Sequence, residues 1–337
     1  MTTMADAPTF AVLAADWSFR PFVVVPLIAV AGLYVSGVVR VRRRHPAGPW
    51  PLARTASFFA GLAVIGLCLL SAIEHYGTMF FWVHMLQHLL LIMVAPALLI
   101  HGRPFILAMH ASRNPLHTRI KRALRSPVVT VVTNPLVSIP VYIVVVIGTH
   151  LTSFNDVVIT HHGAAVAEEF AYLLAGYLYL LSGFGEEPIR WRLSHPAKII
   201  VLVLSMSIDT FTGITLLMTT TAPWPGYAAQ HHTWGPDPIT DVHYGGAMMW
   251  IGGDSIMILL VIAALVPWVT GRSRNISRMQ WVERARRAHF DHYAGYLPDP
   301  ATRPTGHGDV DEDERRLDAY NAWLAAMSER DRQRGVS

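Results

Sequence analysis

The sequence predicts an all-α, polytopic membrane protein with seven transmembrane helices, its N-terminus outside and its C-terminus in the cytoplasm. Three observations carry that prediction. Of 337 residues, 52% are hydrophobic and 15% are charged, where a soluble domain carries about 25% charged residues. The apolar residues are gathered into blocks of about 20 or more, long enough to cross roughly 30 Å of hydrocarbon as helices. Every second link between blocks is basic, and the others contain no Lys or Arg.

The N-terminal segment, residues 1–20, reads "MTTMADAPTFAVLAADWSFR". It carries Asp6 and Asp16 and no early basic residue, so it reads as an extracytoplasmic tail and not as a cleaved signal peptide. The seven blocks follow at 21–40, 54–76, 79–100, 128–150, 161–183, 197–221 and 243–269. Backbone polar groups find no water in lipid, so each block is expected to be a helix. The link 40–54 holds Arg40, Arg42, Arg43, Arg44 and Arg54. The link 101–127 holds Arg103, Arg113, Arg119, Lys121, Arg122 and Arg125, and the link 184–198 holds Arg190, Arg192 and Lys198. Arg272, Arg274 and Arg278 follow the seventh block. Cytoplasmic links are the ones that carry Lys and Arg, which sets the orientation. Residues 21–270 are then the membrane domain and 271–337 a cytoplasmic tail.

Two link segments have helical character of their own. "NPLHTRIKRALRS" is expected to form a short basic helix on the inner leaflet, and "NISRMQWVERARRAHF" an interfacial helix drawn to anionic lipid. In the tail, Leu317, Tyr320, Leu324 and Met327 recur at helical spacing as an amphipathic helix. Residues 298–310, rich in Pro and Gly, form the linker before it.

The polar residues inside the blocks point to function. A carboxylate at mid-bilayer costs at least about 2.5–3.5 kcal/mol, so such groups face the bundle and pair or bind. Asp209 and Asp254 lie near the middle of the sixth and seventh spans, and Glu168 and Glu169 lie about two turns into the fifth. His84 and His88 stand four residues apart in "FFWVHMLQHLL", on one face of the third span. His88 falls roughly 13 Å below Met79, at the depth of Asp209 and Asp254. Of seventeen histidines, nine (His75, His84, His88, His150, His161, His162, His231, His232 and His243) fall in the predicted outer half or outer links. On the seventh span His243, Ala247, Trp250, Asp254 and Met257 define one expected face. The picture is a polar shaft entered from outside and ending on His88, Asp209 and Asp254.

An i, i+4 imidazole pair holds one metal ion, two hydrogen-bonded bundle histidines, or, with partners on a second helix, a haem. Imidazole suits copper, zinc, iron and nickel, and nearby thioether tilts the choice toward Cu(I). The candidate ligand set is His84, His88, Met85, His75, His243, Asp209, Asp254, His161, His162 and Glu168. The single cysteine, Cys68, excludes an internal disulfide or a thiolate cage. No nucleophile–base set, HExxH, GxSxG or nucleotide-binding signature is present, so no enzyme activity and no nucleic-acid partner is indicated. A proton-linked transporter built on the same acids, or a haem protein, is the alternative reading.

The stretch "FFWVHMLQHLLLIMVAPALLIHGRP", Phe80 to Pro104, resembles the signature of the CtaG-type cytochrome c oxidase assembly factors of bacteria. The match comprises His84, Gln87 and His88, then "APALL", then Gly102 and Pro104. The segment beginning at His150 with "SFND", "HHGAAVAEEF" at 161–170, "PIRWRLSHPAK" and "DPITDVHYGGAMMWIGGD" agree with it, over roughly residues 50–270. The resemblance implies a seven-span protein of the bacterial plasma membrane that helps copper reach a haem–copper oxidase, with oxidase subunits as partners. Some relatives carry a copper-resistance membrane domain fused in front; with one span before the matched region, none is expected in this chain. The oxidase's copper centres lie near or outside the outer face, which would explain the outward histidines.

Overall fold

The computed structural model describes residues 9–44, 50–113, 115–185, 187–191, 193–229, 234–269 and 325. His231, His232 and the helices and linker expected in the tail lie outside the described residues. The chain divides into two units, residues 1–265 and 266–337, and the first holds the helical bundle.

The described residues form α-helices and no strand; the one pairing of extended backbone is an isolated bridge between Trp17 and Ser71. A short α1 (Phe10–Ala15) precedes α2 (Pro21–Arg44), α3 (Leu52–Leu70) and α4 (Ala72–Gly77). Then come α5 (Phe81–Leu89), a π-helical turn at Leu90–Val94, and α6 (Ala95–His101). The next four are α7 (Pro104–Ala111), α8 (Leu116–Leu124), α9 (Pro127–Val132) and α10 (Pro135–His150). They lead into α11 (Phe154–Thr160), α12 (His162–Phe184), α13 (His195–Leu217) and α14 (Pro225–Ala228). The series closes with α15 (Pro238–Ala247), a second π-helical turn at Met248–Gly252, and α16 (Gly253–Val269).

Six helical stretches are long and apolar enough to cross a membrane, making this a multi-pass membrane protein; a seventh counts if a bent pair is one span. That pair, 135–150 and 154–160, turns by 72°. One straight span over 128–150 is expected; the structure divides it into α9 and α10, and local chemistry explains that division. Ser126 and Asn134 each accept a backbone N–H at a helix start, and each is followed by proline. Two such start signals eight residues apart give two helices in place of one. The basic helix expected before this region is present as α8.

The third span is the hub. Of its most apolar stretch, 72% is buried in the protein, against 22–39% for the other five. Through α5, the π-turn and α6 it packs against α3, α12 and α15. Close approach depends on missing side chains, as is usual between helices in lipid. A Cβ on Gly176 of α12 would collide with the Ile92 carbonyl in the π-turn. Gly213 of α13 and Gly246 of α15 meet back to back, each within 2.8 Å of the other's carbonyl oxygen if given a Cβ.

Candidate metal centre

The helix α5 begins where another span tells it to. The Asp241 carboxylate of α15 accepts the backbone N–H groups of Phe81 at 2.7 Å and Trp82 at 3.0 Å. These are donors that a helix leaves without an internal partner. Gln87 donates to the Cys68 carbonyl at 2.9 Å and ties the opposite side of α5 to α3. With both sides pinned, His84 and His88 are turned into the bundle, their ring centroids 4.0 Å apart.

From α12, Glu168 reaches between them. Its Oε2 stands 3.5 Å from Nε2 of His84 and 3.5 Å from Nε2 of His88. All three residues are buried, and their ligand atoms lie within 4.8 Å of one another. Neither contact is aligned as a hydrogen bond; His84 Nε2 is buried without a hydrogen-bond partner among the described residues, as are His88 Nδ1 and Glu168 Oε1, the atoms of those two groups that do not make the contact. Buried polar atoms are usually satisfied, and leaving one bare costs about 1–3 kcal/mol. Two donors about 2 Å from a shared tetrahedral ion stand roughly 3.3 Å apart. The two 3.5 Å spacings are compatible with a shared ion, and the set of two imidazoles and a carboxylate could hold a borderline transition-metal ion.

The neighbouring carboxylate is neutralised separately. Glu169 faces Arg20 at 3.3 Å, and Arg20 also pairs with Glu74 at 2.6 Å. Glu168 has no Lys or Arg partner among the described residues. Tyr172, one turn along α12, lies flat on His88 with centroids 3.7 Å apart at 19°. Its hydroxyl meets Thr149 and the His150 ring of α10. His84 is flanked by Phe81 and Tyr227.

Of the ten sequence-derived candidates, the structure brings His84, His88 and Glu168 together. Met85 is buried on the same helix, with its sulfur 3.0 Å from His150 Nε2 and not turned to the triad. Asp209 accepts the Tyr142 hydroxyl at 2.9 Å and lines a small cavity that also touches His88. Asp254 accepts from Thr210 at 2.9 Å, and His243 Nε2 meets the Thr219 carbonyl at 2.9 Å. His75, His161 and His162 are exposed near helix ends, His75 against Tyr76 and His161 against the Thr160 hydroxyl.

The single face expected on the seventh span is broken. The π-turn at Met248–Gly252 adds a residue to a helical turn, which rotates the helix beyond it by about 100°. Trp250 is left exposed while Met257 is fully buried. Three partners were not in the candidate set: His150, Tyr172 and Asp241. Tyr172 follows Glu168 at i+4, and that spacing is the signal that places it on the same face.

The chain is 28% identical over 333 residues to uncharacterized proteins of Mycobacterium bovis and Mycobacterium tuberculosis, covering 96% of this chain and 46% of each relative. It is 27% identical over 328 residues to one of Mycobacterium leprae, covering 93% and 44%. The chain thus spans about half the length of the curated relatives it matches. No solved structure matches it. The family model described as cytochrome c oxidase caa3 assembly factor matches residues 32–271, most of the chain, and the protein belongs to that family.

Proposed function

We propose that this protein serves the assembly of a cytochrome c oxidase by holding a copper ion at His84, His88 and Glu168 and passing it to an oxidase subunit. The observation that carries this reading is the buried set of two imidazoles and a carboxylate whose ligand atoms lie within 4.8 Å of one another, the carboxylate having no Lys or Arg partner among the described residues. A buried carboxylate without a cationic partner calls for a cation, and these donors select a transition metal over sodium or calcium.

In this reading the N-terminus and the links that lack Lys and Arg lie outside the plasma membrane, and residues 271–337 form a cytoplasmic tail. The asymmetry of basic links supports that orientation. Copper then enters from outside. Exposed His161 and His162 sit at the start of α12, about two turns before Glu168, and offer transient imidazoles on the way in. Asp209 and Asp254 are second-line groups in this scheme, since each is occupied by a hydroxyl donor.

The test is a titration of purified protein with Cu(I) and with Cu(II) against a competing chelator. In His84→Ala, His88→Ala and Glu168→Gln the affinity is expected to fall at least about 100-fold, each tenfold step being about 1.4 kcal/mol. Unchanged affinity in the His84→Ala/His88→Ala double variant removes the triad as a metal site. The same variants, expressed in a strain lacking the native gene, are expected to leave oxidase activity low and to be rescued by added copper.

A further inference from the structure

Beside the triad, His150 and Met85 meet in a second buried arrangement whose hydrogen bonding depends on which ring nitrogen carries the proton. His150 Nδ1 lies 2.8 Å from the Val146 carbonyl oxygen, which only accepts. That contact favours the tautomer with the ring proton on Nδ1. The Thr149 hydroxyl, also near Nδ1, is already committed as a donor to the Val145 carbonyl at 2.8 Å. In the neutral ring Nε2 is then a bare lone pair. It points at the sulfur of Met85 at 3.0 Å, and a thioether has no proton to give. Two acceptors thus face each other at hydrogen-bond distance with nothing between them to share.

The pair is sealed from solvent. His150 is 3% exposed and Met85 1%. Among the described residues the His150 ring makes no ion pair, and its partners are Val146, Thr149, Tyr172 and Met85. A cavity of about 20 Å³ adjoins the pair, bordered also by His88, Met93, Met249 and Asp209. That is room for one water-sized species. Two of those borders are further thioethers. First-row ions sit about 2.0 Å from imidazole nitrogen and 2.3 Å from sulfur. Donors 3.0 Å apart then subtend roughly 90° at a shared ion, and a shift of a few tenths of an ångström opens this toward tetrahedral.

We infer that His150 Nε2 and Met85 Sδ form a second metal site, distinct from the triad, that takes a soft monovalent cation of the Cu(I) class. It builds on the metal-handling reading above but uses none of the triad's ligands. Imidazole with thioether is the donor mixture that favours Cu(I), whereas two imidazoles with a carboxylate suit a divalent ion equally well. The two sites adjoin: the His150 and His88 rings meet edge to face at 5.5 Å, and Tyr172 touches both. The triad is the entry station, and the buried nitrogen–sulfur pair retains the reduced ion.

X-ray absorption on the full-length protein loaded with Cu(I) under reductant tests this, with Ag(I) as a redox-inert second probe. The wild type is expected to show a sulfur scatterer at about 2.3 Å. Met85→Leu, which conserves volume, is expected to lose that scatterer and one equivalent of bound Cu(I), while Zn(II) binding stays unchanged. His150→Asn is expected to do the same. Glu168→Gln and His84→Ala are expected to lose Zn(II) and keep the sulfur scatterer. A wild-type Cu(I) spectrum with nitrogen and oxygen neighbours alone overturns the inference, as does a sulfur scatterer that survives Met85→Leu. Neither result touches the triad, whose own failure would appear as unchanged binding in the histidine double variant. A wild-type spectrum without a sulfur scatterer overturns the inference even where a variant fails to fold.

Discussion

Asp241 caps the helix that carries His84 and His88 from a different span, its two carboxylate oxygens receiving the N–H groups of Phe81 and Trp82. The cap holds the start of the helix that carries both histidines at a defined point on α15. Hydrogen bonds to a charged group contribute about 1.5–3 kcal/mol when buried. Asp241→Ala is expected to lower stability by about that amount and to weaken copper binding at the triad by about 10-fold, as supporting residues of metal sites do. Asp241→Asn keeps one acceptor and is expected to fall in between. Wild-type copper affinity in a folded Asp241→Ala protein would show that the cap does not position the histidines.

Glu168→Gln separates binding from stability. The carboxylate is buried without a Lys or Arg partner among the described residues, and a buried uncompensated charge is costly. The metal-free variant is expected to melt at or a few degrees above the wild type, roughly 2–4 °C per kcal/mol gained. The wild type is expected to gain about 2.7 kcal/mol at a metal concentration 100 times Kd, and the variant to gain almost nothing. A large loss of stability in metal-free Glu168→Gln would mean that the charge is held by something other than an ion.

Gly176→Ala tests the contact between α12 and the π-turn of the third span. The added methyl group meets the Ile92 backbone, which cannot rotate aside as a side chain can. Overpacking of this kind costs typically about 1–3 kcal/mol. It also displaces the helix that presents Glu168 and Tyr172. Thermal melting in detergent is expected to show the destabilisation, and the copper titration a parallel loss. A variant as stable as the wild type would contradict the close packing of these two helices.

Asp237 caps α15 outside the membrane. Its carboxylate accepts the Thr240 hydroxyl at 2.6 Å and the N–H groups of Ile239 and Thr240. These bonds, that of the hydroxyl first, hold its pKa below the ordinary carboxylate value. A group with a lowered folded pKa stabilises the fold above its unfolded pKa, and that stabilisation is lost as pH falls through the folded value. Asp237→Ala is therefore expected to be less stable than the wild type at neutral pH. The difference should close in acid, below the usual carboxylate range near 4. A difference that persists unchanged into acid would point away from the charged cap.

Much of this was legible in the sequence because lipid imposes simple rules. A backbone in hydrocarbon must satisfy its own hydrogen bonds, so six of the seven apolar blocks fall on membrane-length helices, although the third runs on to Ala111 and the block 128–150 is divided. Helical periodicity put His84 and His88 on one face, and the cost of a buried acid marked Glu168 as a group needing a partner. The same cost marked Asp209 and Asp254, but it does not name the partner. Tyr142 and Thr210, neutral hydroxyls on neighbouring helices, took those roles, so the acids did not all converge on His88.

What the tertiary structure alone decided is which faces meet and in what register. Two π-turns, at Leu90–Val94 and Met248–Gly252, rotate the faces beyond them, and no regular spacing extrapolates through such a turn. The missing Cβ of Gly176 lets α12 come close enough for Glu168 to reach both imidazoles. "HMLQH" determined by itself that two imidazoles share a face with Met85 behind them. Only the packing of α10 and α12 decided that Glu168 would meet both imidazoles and that His150 would meet Met85, because such contacts are a matter of distance between helices and the sequence of one helix carries no such distance.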